Sequence, residues 1–384
     1  MLKIGIVGTG FAALIHLDTY KLLPGGDFCL YGICSKDAVL KEIADKYNIA
    51  HTFTEYADML ADPNIDVVDI ITPPALHAPM IEQAMEAGKD VICEKPLTGY
   101  FGDAVKDGQD VSRLKMYEAT LAAMDKIRAC MQKTGKRLFY AENYVYTPAV
   151  QKCAELLRAK KSRILLLKGE ESHSGSHAAH APYWRINGGG ALIRQGCHPL
   201  SAALYLKQVE AQARGESIHP VAVSSVCRAL TAAHTQKDKK YTAAEPYDVE
   251  DYSIVMIEFS DGSIAQILAS DNTLGGVRNN MEIYTNEGNY QCNIAPNNAL
   301  MVYNEDADDL DDIYITEKLG QKAGWQSVFL EENLMRGYVG ELTDFISCLA
   351  TGAEPKSDFD LAYQSMQLIY AAYRSSSEGR RIEM

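Results

Sequence analysis

The sequence predicts an α/β fold, a doubly wound parallel sheet followed by an α+β half built on a large, mostly antiparallel open sheet. Three observations carry this expectation. The apolar run Lys3-Ile4-Gly5-Ile6-Val7 feeds directly into a glycine-rich turn and a helix start. Short buried strands and helices then alternate with brief links. From about Tyr144 onward the strands lengthen and alternate polar with apolar residues, as in a sheet covered on one face.

The first half reads in order as follows. Lys3 to Val7 is a strand of the fully buried kind, and the helix after it runs to Leu23, where Pro24-Gly25-Gly26 stops it. Phe28–Cys34 is a second strand and Lys36–Tyr47 a helix with Val39, Leu40, Ile43 and Ala44 on its apolar face. A short helix at Thr54–Leu60 precedes the strand Val67–Ile71. The helix Pro79–Ala87 then leads to the strand Asp90–Cys93. Polar and glycine residues at 101–114 break the rhythm and read as an insertion before the helix Met116–Gln132 and the strand Arg137–Ala141.

In the second half, helices are expected at Ala149–Arg158 and Pro199–Ala213. Strands are expected at Ile164–Glu170, Tyr252–Phe259, Ser263–Ala269, Asn280–Thr285 and Gly288–Asn293. Ser260-Asp261-Gly262 is a hairpin turn. The acidic stretch 304–312 reads as a solvated loop, and Phe329–Thr351 and Asp360–Ser375 as amphipathic helices. A chain of 384 residues exceeds what one core usually organises. The expected domains are 1–143 and 144–384, with the C-terminal helices packing back on the first.

A net charge of -14, with no basic block beyond Arg158-Ala159-Lys160-Lys161, argues against nucleic acid as a partner. No apolar run approaches the ~18 residues of a membrane span. The nine cysteines form no C-x-x-C pair and read as reduced thiols. No signal peptide precedes the first strand, so the expected location is cytoplasmic.

Gly8-Thr9-Gly10-Phe11-Ala12-Ala13 fits G-x-G-x-x-A between a strand and a helix, the Rossmann fingerprint. The first glycine allows the turn, the second lets a pyrophosphate approach, and Ala13 lets helix and strand pack closely. Gly8, Thr9, Gly10, Phe11 and Ala12 are therefore cofactor candidates, with the helix N-terminus facing the phosphates. The end of the second strand should meet the adenosine ribose. It reads Cys34-Ser35-Lys36-Asp37 without an acid at the strand end. Ser35 and Lys36 could hold a 2′-phosphate, or Lys36 could simply start a solvated helix, which leaves NAD and NADP both open.

Two more segments fall at carboxyl ends of parallel strands, where open sheets bind ligands. One is Thr72-Pro73-Pro74-Ala75-Leu76-His77, the other Cys93-Glu94-Lys95-Pro96. Together with the glycine turn, the Glu142-Asn143-Tyr144 junction, and Tyr183-Trp184-Arg185 before Gly188-Gly189-Gly190, they make the chain resemble the Gfo/Idh/MocA family of sugar and polyol oxidoreductases. The resemblance implies bound NAD or NADP, a carbohydrate-like substrate, and a homo-oligomer, dimer or tetramer. It makes Lys95 the catalytic lysine, with Thr72, Pro73, His77, Glu94, Asn143, Trp184 and Arg185 near the cofactor. Lysine is a poor base at its free pKa of ~10.4, so burial or a nearby cation is expected to lower it.

His198 falls on the family's catalytic histidine, and the family's aspartate four residues earlier is here Arg194. Arginine cannot act as a base but can hold a carboxylate or phosphate, which suggests an acid-bearing sugar and a like-charge depression of Lys95 or His198. Upstream, His173, His177 and His180 lie at helical spacing beside Glu170 and Glu171. Imidazole and carboxylate suit zinc or manganese, but Gly175 and the serines favour a loop, and the resemblance implies no metal. Tyr144, His173 and His177, with Lys95, Arg194 and His198, are the substrate candidates. The expected activity is hydride transfer between nicotinamide and a secondary alcohol of a sugar, sugar derivative or cyclitol. The alternatives are a redox-assisted glycosidase with recycled NAD+ and a 3-keto intermediate, and a cofactor-binding protein without catalysis.

Overall fold

The structure is a computed structural model and describes residues 1–106, 109–176, 178–235, 237–238, 240–295, 300–308, 310, 315 and 321–384, with the backbone alone at 105, 106, 109 and 110. The first half holds strands β1 (Leu2–Val7), β2 (Phe28–Cys34), β3 (His51–Phe53), β4 (Val67–Ile70) and β5 (Asp90–Glu94), a small pair β6 (Val105–Lys106) and β7 (Gln109–Asp110), and β8 (Leu138–Ala141). Its helices are α1 (Phe11–Leu22), α2 (Leu40–Lys46), α3 (Tyr56–Ala61), α4 (His77–Glu86) and α5 (Arg113–Thr134). The main sheet runs β3-β2-β1-β4-β5-β8 and every pair in it is parallel. Ile4, Ile6, Val67, Val68, Ile70, Val91, Ile92 and Cys93 are buried because helices cover both faces. The chain order reverses between β1 and β4, which opens a crevice at the carboxyl ends.

The second half contains α6 (Pro148–Lys160), β9 (Ile164–Ser172), α7 (Trp184–Asn187), α8 (Cys197–Arg214), β10 (Pro220–Arg228), β11 (Tyr252–Phe259), β12 (Ile264–Ser270), β13 (Arg278–Thr285), β14 (Asn289–Ala295), the hairpin β15 (Leu300–Asn304) and β16 (Gly324–Val328), α9 (Glu332–Met335), α10 (Tyr338–Thr351), α11 (Phe359–Glu378) and β17 (Ile382–Glu383). Its main sheet runs β14-β13-β9-β12-β11-β10-β17. Only β9 and β12 pair in parallel; the other neighbours are antiparallel. Helix α8 lies so close to β9 that a Cβ on Gly169 would sit 2.6 Å from Cβ of Pro199.

The single helix expected over Phe329–Thr351 is two helices. Gly337, at φ 95°, separates them, and a side chain there would run into the Asn143 carbonyl at 2.1 Å. Helix α10 packs on α1 and α11 on α5. Arg137 Nη1 donates to Cys348 O at 2.8 Å, and Tyr363 Oη to Asp125 at 3.0 Å. Of the acidic loop 304–312, residues 309, 311 and 312 lie outside the described residues, as do 107–108 of the insertion. Among the described residues no helix is long and apolar enough to cross a membrane, and all nine cysteines are free thiols.

Candidate active site

The glycine turn opens the site. Gly8 has φ 125°, and a Cβ there would meet Ile71 O at 2.4 Å, so the fold itself requires glycine. Gly10 differs: its Cβ would meet nothing within 4 Å. Open space above the second glycine, at the uncapped N-terminus of the 12-residue helix α1, fits a pyrophosphate approaching the backbone. A cleft of about 670 Å³ extends from it, lined among others by Thr9, Phe11, Ala12, Ser35, Lys36, Asp37, Thr72 and Pro73. Nine of the sequence-derived cofactor residues, Gly8 and Gly10 included, thus share one cavity.

At its ribose end the acid that seemed missing comes from one turn further on. Asp37 accepts from Thr9 Oγ1 at 2.5 Å, and its backbone N–H donates to Ser35 Oγ at 3.1 Å. Lys36 is largely exposed and pairs with Glu55 at 3.0 Å.

Lys95 projects from the end of β5. His77 anchors the turn beside it, its ring spanning Thr72 O at 2.8 Å and Pro96 O at 2.9 Å. Glu94 Oε2 accepts the Lys95 backbone N–H at 2.8 Å, while Glu94 Oε1 lies 3.2 Å from Nε2 of the buried His16. Burial alone would push the Glu94 carboxyl up, but the His16 hydrogen bond and charge, with Lys95, bring it below its ordinary value. Lys95 Nζ donates to Arg194 O at 2.8 Å, a carbonyl in the wide π-type turn Leu192–Gly196. Burial acts to lower the Lys95 ammonium. Cys197 and the carboxylates of Glu94, Glu171 and Glu142 outweigh it and hold the group above its ordinary value. The expected depression of Lys95 is therefore corrected: the carboxylates around it favour the charged form.

His198 completes the centre. Its Nδ1 lies 2.6 Å from Glu142 Oε1, its Nε2 3.9 Å from Glu171 Oε2, and Tyr144 stacks on the ring at 4.8 Å. A carboxylate acceptor at Nδ1 calls for N–H there, leaving the Nε2 lone pair free in the neutral ring. Glu142, Cys197 and His198 bring ligand-type atoms within 4.8 Å, and they are the one such group among the described residues. The 2.6 Å imidazole–carboxylate contact has hydrogen-bond length.

The Arg194 charge is met by a carboxylate of the protein itself. The guanidinium pairs with Asp271, which also accepts from Gln195 Nε2 at 2.5 Å. Like-charge repulsion from Arg194 is thereby neutralised on the spot. His173 Nδ1 accepts the Gly175 N–H at 3.1 Å and lies 3.8 Å from Asp271. His177 lies outside the described residues. The described part of 173–182 is loop and turn, not helix, and it brings His180 onto the wall of the cofactor cleft.

Three sequence candidates sit elsewhere. Asn143 Nδ2 donates to Arg336 O at 2.8 Å. Trp184 is buried against Tyr373, with Arg113 over its ring at 4.2 Å, and lines a separate pocket. Arg185 is exposed. Sequence reasoning named Glu142 only within a junction, Glu171 only as a carboxylate beside the histidines and Asp37 only within the strand-end string, and it did not name Asp271. The Cys34-Ser35-Lys36-Asp37 string alone carried a usable signal, because a turn can return Asp37 to the strand end.

Residues 2–115 match a family model described as an oxidoreductase family with NAD-binding Rossmann fold, and residues 151–291 match the GFO/IDH/MocA C-terminal domain. The chain is 29% identical over 324 residues to levoglucosan dehydrogenase of Pseudarthrobacter phenanthrenivorans, spanning 78% of this chain and 76% of that protein. It is 21% identical over 390 residues to myo-inositol 2-dehydrogenase of Thermotoga maritima, spanning 100% and 98%. Its fold is that of scyllo-inositol dehydrogenase from Lactobacillus casei, solved with NAD(H) and scyllo-inositol, with a TM-score of 0.74, 16% identity and coverage of 100% and 99%.

Proposed function

Because the chain belongs to the Gfo/Idh/MocA family of oxidoreductases, we propose that it moves a hydride between NAD+ and a secondary alcohol of an uncharged sugar or cyclitol. The observation that carries this reading is the convergence of Lys95 and His198 on one carboxylate-rich centre at the carboxyl end of β5. The nicotinamide cofactor, when bound, accepts or supplies the hydride. The chain's own groups handle the proton and the geometry. His198, fixed through Nδ1 by Glu142, takes the hydroxyl proton at Nε2. Lys95 stays an ammonium, donates a hydrogen bond to the substrate oxygen and stabilises the alkoxide as it forms. In the reverse direction His198 returns that proton to the substrate oxygen while Lys95 keeps its hydrogen bond to it.

Two details refine the substrate and cofactor. The acid-bearing sugar rested on Arg194, and its pairing with Asp271 weighs against it. Glu142 and Glu171 face the same space, which disfavours an anion. At the ribose end, Asp37 presents a carboxylate and Lys36 is engaged by Glu55, so NAD+ is favoured over NADP+.

The test is a panel of neutral sugars, cyclitols and uronates with either cofactor, read at the reduced-nicotinamide absorbance band. The expected result is stoichiometric reduction of NAD+ with a neutral polyol. Lys95→Met should lower kcat by roughly 10²–10⁴-fold while NAD+ affinity changes little. Release of an aglycone without net reduction of the cofactor would instead establish the redox-assisted glycosidase.

A further inference from the structure

The region behind Lys95 holds more buried charge than the reaction just described uses. His16, on the second turn of α1, is fully buried. Its Nδ1 lies 2.9 Å from Asp69 Oδ2, and its Nε2 lies 3.2 Å from Glu94 Oε1. Asp69 is fully buried and Glu94 nearly so. A neutral imidazole has one N–H to donate, whereas two carboxylates ask for two. Doubly protonated, the ring satisfies both and cancels part of their charge in a place where an unpaired anion is costly.

The other groups facing His16 do not supply that charge. Tyr20 Oη, from the same helix, donates to Asp69 at 3.0 Å. From α10, the Tyr338 ring stands 6.4 Å away. Glu341, also on α10, is buried with neither oxygen hydrogen-bonded among the described residues, and burial pushes its acid well up; a carboxyl in either form supplies no cation. Beyond Glu94 the next cation is Lys95, which faces Glu142, Glu171, Cys197 and His198 from the second half.

We propose that His16 is a positioning residue for the reaction: as a buried imidazolium it holds Glu94 ionised and aimed along the Lys95 amide, and Glu94 in turn keeps Lys95 charged. This inference rests on the catalytic reading of Lys95 given above. Its direction is fixed by the geometry. Without the imidazolium, buried Glu94 loses the strongest of the effects that favour its ionised form, with Lys95 left as the main one, and takes up a proton more readily. Lys95 then loses one of the anions that favour its charged form and gives up its proton at lower pH. His16 is also raised well above its ordinary value by its carboxylate partners, against the opposing effect of burial.

Two measurements on the NAD+-loaded enzyme test this. Selective ¹⁵N-histidine labelling, with His16→Gln to assign the resonance among nine histidines, should show both His16 ring nitrogens bearing protons at pH 8. In the kcat–pH profile for alcohol oxidation, the alkaline limb should move down by about one pH unit in His16→Gln and in Glu94→Gln alike, with no further movement in the double variant. A merely structural histidine would lower kcat with the limb unmoved, and that outcome overturns the proposal. A single-proton imidazole in the wild-type spectrum overturns it equally, even if His16→Gln does not fold. If no alcohol is oxidised at all, the catalytic reading fails, while the spectrum still decides the state of His16.

Discussion

Single residues carry most of the discriminating power here, and the two glycines of the first turn show why. Gly8 and Gly10 look equivalent in the sequence, but protein atoms crowd one and nothing crowds the other. Gly8→Ala should therefore cost stability in the cofactor-free protein, by several degrees in Tm. Gly10→Ala should leave that Tm unchanged and abolish the rise that NAD+ produces. Differential scanning fluorimetry with and without NAD+ separates the two, and equal damage from both would contradict the assignment. Asp37 gives a second comparison. Asp37→Asn removes the carboxylate at the ribose end and should raise kcat/KM with NADP+ by roughly 10-fold relative to NAD+, one charge contact being worth about 1–2 kcal/mol. An unchanged cofactor ratio would mean that Asp37 only braces Thr9 and Ser35.

At the level of elements, legibility followed sequence distance. The strands Phe28–Cys34 and Tyr252–Phe259 were placed at the ends seen in the structure, because turn residues or a strict two-residue alternation bound them. Lys95 and His198 were legible because each sits in a local string. Glu171 and Asp271 were not, since only the folded second sheet sets Glu171 near Lys95 and His198 and Asp271 against Arg194, while Glu142 meets His198 from the end of β8. Among the strands that went unread, β3 and β17 are only three and two residues long, and β10 lacks a clear apolar alternation. Helix α10 illustrates how an element can fit its place while one residue does not. Glu341 faces α1 from a helix whose other buried residues are Leu342, Phe345, Ile346 and Cys348. Its pKa lies well above 4.5, so the stability it contributes is complete below that value and is lost as pH climbs toward the folded-state pKa. Glu341→Met should raise Tm by about 2–5 °C near pH 8, and by less at pH 5, given the ~1–3 kcal/mol cost of a buried group without a partner. A lower Tm for Glu341→Met at pH 8 would show that this carboxyl does have a partner.

For the whole molecule, two sheets share one continuous core and are further tied by chain segments that cross between them. Helices α10 and α11 return to the first half, and Tyr370 Oη bridges the Tyr100 N–H at 2.6 Å and Gly188 O at 2.8 Å. The loop that carries His180 crosses in the opposite sense. It emerges from the second sheet yet forms part of the wall around the glycine turn. The consequence is kinetic. A nucleotide seated in that cleft would have His180 of the second half beside it, and its release is expected to be paced by movement of the 178–182 segment. Coenzyme should then bind first and leave last, and departure of the reduced form should be slower than the chemistry. Rapid mixing of enzyme, NAD+ and a good substrate should show a burst of reduced nicotinamide approaching one per active site before the steady rate sets in. Trimming His180 to alanine should quicken the steady phase and shrink the burst.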